Sequence, residues 1–154
     1  MHTLIQTLMV IFSLTLAVPS WASEPFVGQL DSHTLLEKYD DFSKEYEKFE
    51  TTDEDLVLMQ KLQGKSIVVL FGTWCHDSHR EVPRLLKLLA QADVELAELK
   101  LVAVDYAKED DNGIAKKFGL KYTPTFIVLD GDKEVARVIE KPEGTLASAL
   151  SRFD

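Results

Sequence analysis

The chain has 154 residues, 45% of them hydrophobic, and a formal net charge of −9. That is enough apolar content for one globular domain with a core of its own and too little chain for two. The 17 Lys and Arg are outnumbered by 26 Asp and Glu, which argues against a nucleic-acid partner, because phosphate-backbone binding rests on clustered cations.

Residues 1–22 contain no Asp, Glu, Lys or Arg, and the run from Leu4 to Val18 is largely apolar. Ser20 and Ala22 are small residues placed for cleavage after Ala22, so 1–22 reads as a secretory signal peptide. An uncleaved anchor is the alternative. The apolar run is short for a spanning helix and ends at Pro19. The expected mature protein starts near Ser23, is periplasmic or secreted, and keeps no stable membrane association after cleavage.

From Asp31 to Phe49, apolar residues recur at Leu35, Leu36, Tyr39, Phe42, Tyr46 and Phe49, the interval of one amphipathic helix. "TTDEDLVLMQKL" predicts a second, shorter helix, with Thr52 or Asp53 as cap and acids in its first turn, and Gly64 ends it. Residues 23–62 thus read as an N-terminal helical extension, and 63–154 as the main domain. "SIVVLFG", from Ser66 to Gly72, is a continuous β-branched run suited to a strand buried on both faces. "HDSHREVPRLLKLLAQ" is helical, with Val82, Leu85, Leu86 and Leu89 on one side and Pro83 inside it as an expected kink. "LKLVAVDYA" from Leu99 predicts a second strand, "DNGIAKKFGL" a short helix stopped by Gly119, and "TFIVLD" a third strand. "DGD" turns the chain into the returning strand "KEVARVIE", and "EGTLASALSRF" closes it as a helix. The alternation predicts an α/β fold: a small mixed sheet, begun by a parallel pair with a crossover helix, with helices on both faces.

Cys75 is the one cysteine. Export would put it where disulfides persist, yet it cannot form an internal one. It is therefore inert, paired with another chain, or reactive. It follows a buried strand and opens a helix, where unpaired N–H groups and the helix dipole favour a thiolate. Its neighbours Trp74, His76, Asp77 and Ser78 are mostly polar, which sets it apart from a core cysteine.

"VVLFGTWCHDSHREVPRLL" resembles the active-site segment of the thioredoxin superfamily, in which Trp-Cys-x-x-Cys lies between a buried strand and a helix. Pro83 matches the family's helix-kinking proline, and "IAKKFGLKYTPTFIVLDGDKEVAR" resembles its later half, with Pro124 at the place of the cis-proline. The resemblance implies a thioredoxin fold over about Gly64 to Phe153 and thiol–disulfide exchange at Cys75. It implies that Thr123, before Pro124, pairs through its backbone with an extended substrate peptide, beside Trp74.

Two departures mark the site. Ser78 stands where the second cysteine would be, and Val69 where many members bury an acid. By resemblance, Cys75 can form a mixed disulfide, but release needs an outside thiol or a second cysteine in the partner, because Ser78 has no sulfur with which to attack. The Ser78 hydroxyl can donate a hydrogen bond to a Cys75 thiolate, which favours the ionised form. His76 and Asp77 are expected to modulate the site, a protonated His76 favouring thiolate and Asp77 opposing it. The implied partners are a cysteine-containing protein or small-thiol substrate and an external thiol reductant, with no cofactor. Two alternatives stand beside this. One is a non-catalytic module that binds partners through Trp74 and Pro124. The other is a Cu(I) or Zn(II) site using Cys75 and His79, one helical turn apart.

Overall fold

The computed structural model describes residues 24–153, so the expected signal segment lies outside the described residues. Five strands form one mixed sheet in the order β1-β3-β2-β4-β5. The central strand is β2 (Ser66–Phe71), parallel to β3 (Glu98–Ala103) on one side and antiparallel to β4 (Thr125–Asp130) on the other. β5 (Lys133–Ile139) pairs antiparallel with β4 through the hairpin at Gly131, whose φ of 59° suits a residue without a side chain. The expected parallel pair and the later hairpin are both present.

The period of two in β2 divides the core. Ile67, Val69 and Phe71 face the larger cluster, and Val68 and Leu70 face the smaller one. The larger face is covered by α1 (Ser32–Lys38), α2 (Asp40–Lys48), α3 (Asp53–Met59), α4 (His76–Ala92) and α6 (Leu146–Leu150). Among the described residues the other face has only α5 (Ile114–Lys117) and its flanking residues Phe118 and Leu120. Each wholly buried aromatic or aliphatic side chain contributes about 1.5–3 kcal/mol. Phe42 of α2 meets Phe71 of β2 edge to face at 5.8 Å and ties the N-terminal helices to the sheet.

The segment before β2 differs from its expected form in two ways. Among the described residues it holds three α-helices, because Tyr39 takes an extended conformation (φ −122°, ψ 101°) that closes α1 and opens α2. Asp40 and Asp41 then occupy the first turn of α2, where the dipole favours them, instead of a helix interior. The same segment also adds a fifth strand, β1 (Gly28–Leu30), antiparallel to the edge of β3. A three-residue strand is too short to show a period, so only pairing reveals it.

Three other elements are shorter than expected. The second sheet strand ends at Ala103, the helix around Ala115 is four residues long, and the last helix is five. Among the described residues no helix is long and apolar enough to cross a membrane.

Candidate active site

Cys75 sits at the N-cap of α4, a 17-residue helix, with extended backbone angles and no side-chain cap bond. It is partly exposed. Two backbone bonds fix it: its N–H donates to the Gly72 carbonyl at 3.1 Å, and its carbonyl accepts from the His79 N–H at 3.0 Å. The Thr123–Pro124 peptide bond is cis. The turn before β4 brings that bond to the cysteine, and the Cys75 Sγ donates to the Thr123 carbonyl at 3.2 Å. Cys75, Thr123 and Pro124, 48 and 49 positions apart in the chain, therefore form one locus because β2 and β4 are neighbours in the sheet.

Trp74 frames this locus. Its indole Nε1 donates to the Val104 carbonyl at 3.1 Å, and its ring lies against Tyr106 with centroids 5.1 Å apart. The ring also covers Gly72 so closely that a Cβ there would stand 2.7 Å from Cε2. Tyr106 and Gly72 are parts of the site that sequence reasoning missed. "VDYA" reads as strand, and nothing in it indicates an aromatic turned toward Trp74.

Ser78 is fully buried, and its hydroxyl accepts from the Gly72 N–H at 3.2 Å. Among the described residues no hydrogen bond joins it to the Cys75 thiol, and by accepting from Gly72 it ties the first turn of α4 to the end of β2. Asp77 is also more constrained than expected. It pairs with Arg80 at 3.1 Å and stands 3.9 Å from Lys141, so its charge is met by cations. Arg80 in turn donates to Glu81 at 2.6 Å. Burial works against the Arg80 charge, but the Glu81 hydrogen bond, its Coulomb attraction and that of Asp77 outweigh it and raise the pKa of the guanidinium. Glu81, on the inner side of α4, is buried, and its Oε2 has no partner. The helical period of apolar residues gave no sign that an acid lay on that side.

His76 is exposed, next to the cysteine. His79 is held by three neighbours. Its Nε2 is 2.7 Å from the Thr73 carbonyl, which can only accept, so the proton between them is on Nε2. Its ring packs on Phe42 at 5.0 Å, and Nδ1 faces Asp41 at 3.7 Å. Among the described residues no group of three His, Cys, Asp or Glu side chains is placed to hold a metal ion.

A thioredoxin family profile matches residues 29–150. The chain belongs to the thioredoxin family. The match begins within β1, so it takes in the N-terminal helices as well as the sheet. No curated protein matches this family member in sequence. Solved structures similar to it in fold include a Pseudomonas aeruginosa protein of unknown function (TM-score 0.57, 14% identity, covering 77% of this chain and 75% of that one). An HIV epitope-scaffold is also similar (TM-score 0.55, 16% identity, 74% and 73%). Mitochondrial thioredoxin 3 from Saccharomyces cerevisiae, in oxidized form, matches with TM-score 0.38, 20% identity, and coverage of 62% and 86%.

Proposed function

We propose that this thioredoxin-family protein performs thiol–disulfide exchange with one sulfur, after export to a periplasmic or extracellular space. The observation that carries the reading is the Cys75 Sγ at the start of α4, partly exposed and 3.2 Å from the Thr123 carbonyl beside cis-Pro124. The helix start places unpaired backbone N–H groups beside the sulfur, and the bend at Thr123–Pro124 gives an incoming partner a backbone segment to lie against.

The reaction balances as follows. The Cys75 thiolate attacks one sulfur of a partner's disulfide, a Cys75–partner bond forms, and the other partner sulfur leaves with the electron pair and takes up a proton. A second thiol, from an external reductant or the partner itself, then attacks the mixed disulfide and returns Cys75 to the thiolate. Ser78 cannot perform that second attack, since it has no sulfur and its oxygen is engaged by Gly72. The site residues in this reading are Cys75 as nucleophile, Pro124 and Thr123 as the partner edge, and Trp74 as the wall.

The test is capture in the native compartment. Non-reducing gels of the wild-type strain are expected to show adducts that vanish with reductant and with Cys75→Ser. A Ser78→Cys variant is expected to gain turnover as a disulfide reductase. Absence of adducts in the wild type, together with no gain from Ser78→Cys, would leave a non-catalytic partner-binding module. The exposed Tyr106 beside Trp74 would suit such a module.

A further inference from the structure

β1 pairs antiparallel with β3, with Gly28 opposite Ala103. The residues before Gly28 therefore run beside those after Ala103, in the direction of Tyr106. Phe26 is brought there, and the residue that closes α1, Tyr39, joins it. An open groove of about 500 Å³ results, lined by four rings. Phe26 and Tyr39 come from the segment before β2, and Trp74 and Tyr106 come from the candidate active site.

The groove offers carbon rather than charge. Glu24 and Lys38 are its one acid and its one base, so its lining carries no net charge. The Lys38 ammonium stands 5.4 Å from the centre of the Phe26 ring and 5.7 Å from that of Tyr39, which are cation–π distances. A second cation at those rings would be repelled. The Trp74 Nε1 already donates to the Val104 carbonyl, so the indole presents only its ring. Exposure points to the same place. Val57, Tyr106, Tyr122 and Ile139 are the large hydrophobic side chains most open to solvent among the described residues. Two of these four lie beside Cys75: Tyr106 packs on Trp74, and Tyr122 immediately precedes Thr123. Tyrosine and tryptophan left at a surface in this way are the residues that partners most often cover.

Cys75 does not line this groove, but Thr73 and Trp74 do, and Trp74 is bonded to Cys75. A disulfide holds its two Cα atoms about 5.5–6 Å apart. The partner's next residue is about 3.8 Å further on, the same distance that separates Trp74 from Cys75. A side chain one or two residues from the captured cysteine therefore reaches the indole. Rings that meet edge to face or offset gain more than their apolar burial, whereas an aliphatic side chain gains burial alone. We propose that the groove receives an aromatic side chain of the exchange partner, one or two residues from the cysteine that Cys75 captures. This rests on the exchange reading and adds a substrate class to it: a protein segment with an aromatic residue beside its cysteine, in preference to a small hydrophilic thiol.

The probes are short synthetic peptides whose cysteine is an S-sulfonate, a leaving group with no ring of its own. They carry Phe, Leu or Ala one or two residues from the cysteine, on either side. The Cys75 thiolate attacks the peptide sulfur, the protein–peptide disulfide forms, and sulfite leaves with the electron pair. Intact mass against time gives the rate. In at least one arrangement the Phe peptide is expected to react about tenfold faster than the Ala peptide, and faster than the Leu peptide. Phe26→Ser and Tyr106→Ser are each expected to bring the Phe-to-Ala ratio close to one. The ratio is taken within each variant, so a general loss of stability does not mimic the effect, and Tyr106 is 60% exposed, which makes its replacement mild for the fold. Equal Phe and Ala rates in every arrangement, a Leu peptide as fast as the Phe peptide, or a ratio that survives both variants would overturn the inference. So would a dimer that Phe26→Ser dissociates, since a second copy would then fill the groove. If Cys75 reacts with no probe, the exchange reading fails, and the groove is decided separately with Cys75→Ser. The S-methylated Phe peptide should then shift the Trp74 indole N–H resonance of that variant where the Ala peptide does not, and no shift would overturn the groove as well.

Discussion

Gly72→Ala probes the wall of the site most directly. A Cβ at this position would lie 2.7 Å from Cε2, 2.9 Å from Nε1 and 3.0 Å from Cζ2 of Trp74. Non-bonded carbon atoms settle at about 3.5–4.0 Å, so the indole must retreat by close to 1 Å. It is not free to do so, because Nε1 is held by the Val104 carbonyl at 3.1 Å and Tyr106 backs the ring. A retreat of that size carries the N···O distance to about 4 Å, beyond a hydrogen bond. Overpacking costs about 1–3 kcal/mol, and the lost bond about 1 kcal/mol more. The expected loss is therefore about 2–4 kcal/mol, a large part of a typical domain stability of about 5–15 kcal/mol. Urea unfolding followed by far-UV circular dichroism measures it without relying on tryptophan emission. The same substitution in a Trp74→Ala background is expected to cost only a few tenths of a kcal/mol, because the obstructing ring is gone. A cost below about 0.5 kcal/mol in the wild-type background, or an equal cost in both, would refute the close-approach argument.

Ser78→Ala removes the acceptor of the buried Gly72 N–H, so a loss of about 1–3 kcal/mol and faster amide exchange at Gly72 are expected; unchanged exchange there would show that the bond is not made. Thr52 caps α3 by accepting from the Asp55 N–H and also donates to the Asp55 carboxylate. Thr52→Ala is expected to lower stability by about 1 kcal/mol in chemical denaturation, and a Thr52→Asn variant should recover most of it. On β5, the Arg137 hydrogen bond, helped by its charge, holds the Glu134 pKa below its ordinary value. A lowered carboxyl pKa gives stability that is present above the unfolded-state value and lost as pH falls through the folded-state value. Wild type is thus expected to exceed Glu134→Gln in urea midpoint near neutral pH and to match it at about pH 2.5; a constant gap at both pH values would exclude the linkage.

The sequence alone determined what local chemistry can dictate. The unbroken apolar run at Ile67–Phe71 required a strand covered on both faces, and β2 is the central strand. Gly119 stops its helix with φ 63°, and Gly131 turns the hairpin with φ 59°, conformations that few other residues adopt readily. Cys75 at a strand-to-helix junction and Pro83 within α4 were visible as motif and spacing, and Pro124 came with them by resemblance. What the tertiary structure decided is where side chains with several available partners turn. Ser78 could have faced Cys75 and instead accepts from Gly72; His79 could have faced the sulfur and instead bonds Thr73 and packs on Phe42. Asp77 could have opposed a thiolate and is paired with Arg80. β1 exists only because β3 offers it an open edge, and Tyr39 breaks one helical pattern into two. A period or a motif records the face a residue occupies, because burial repeats along the chain. The partner of a polar atom is chosen among groups tens of positions away, and that choice is made only when the strands and helices carrying them are packed together.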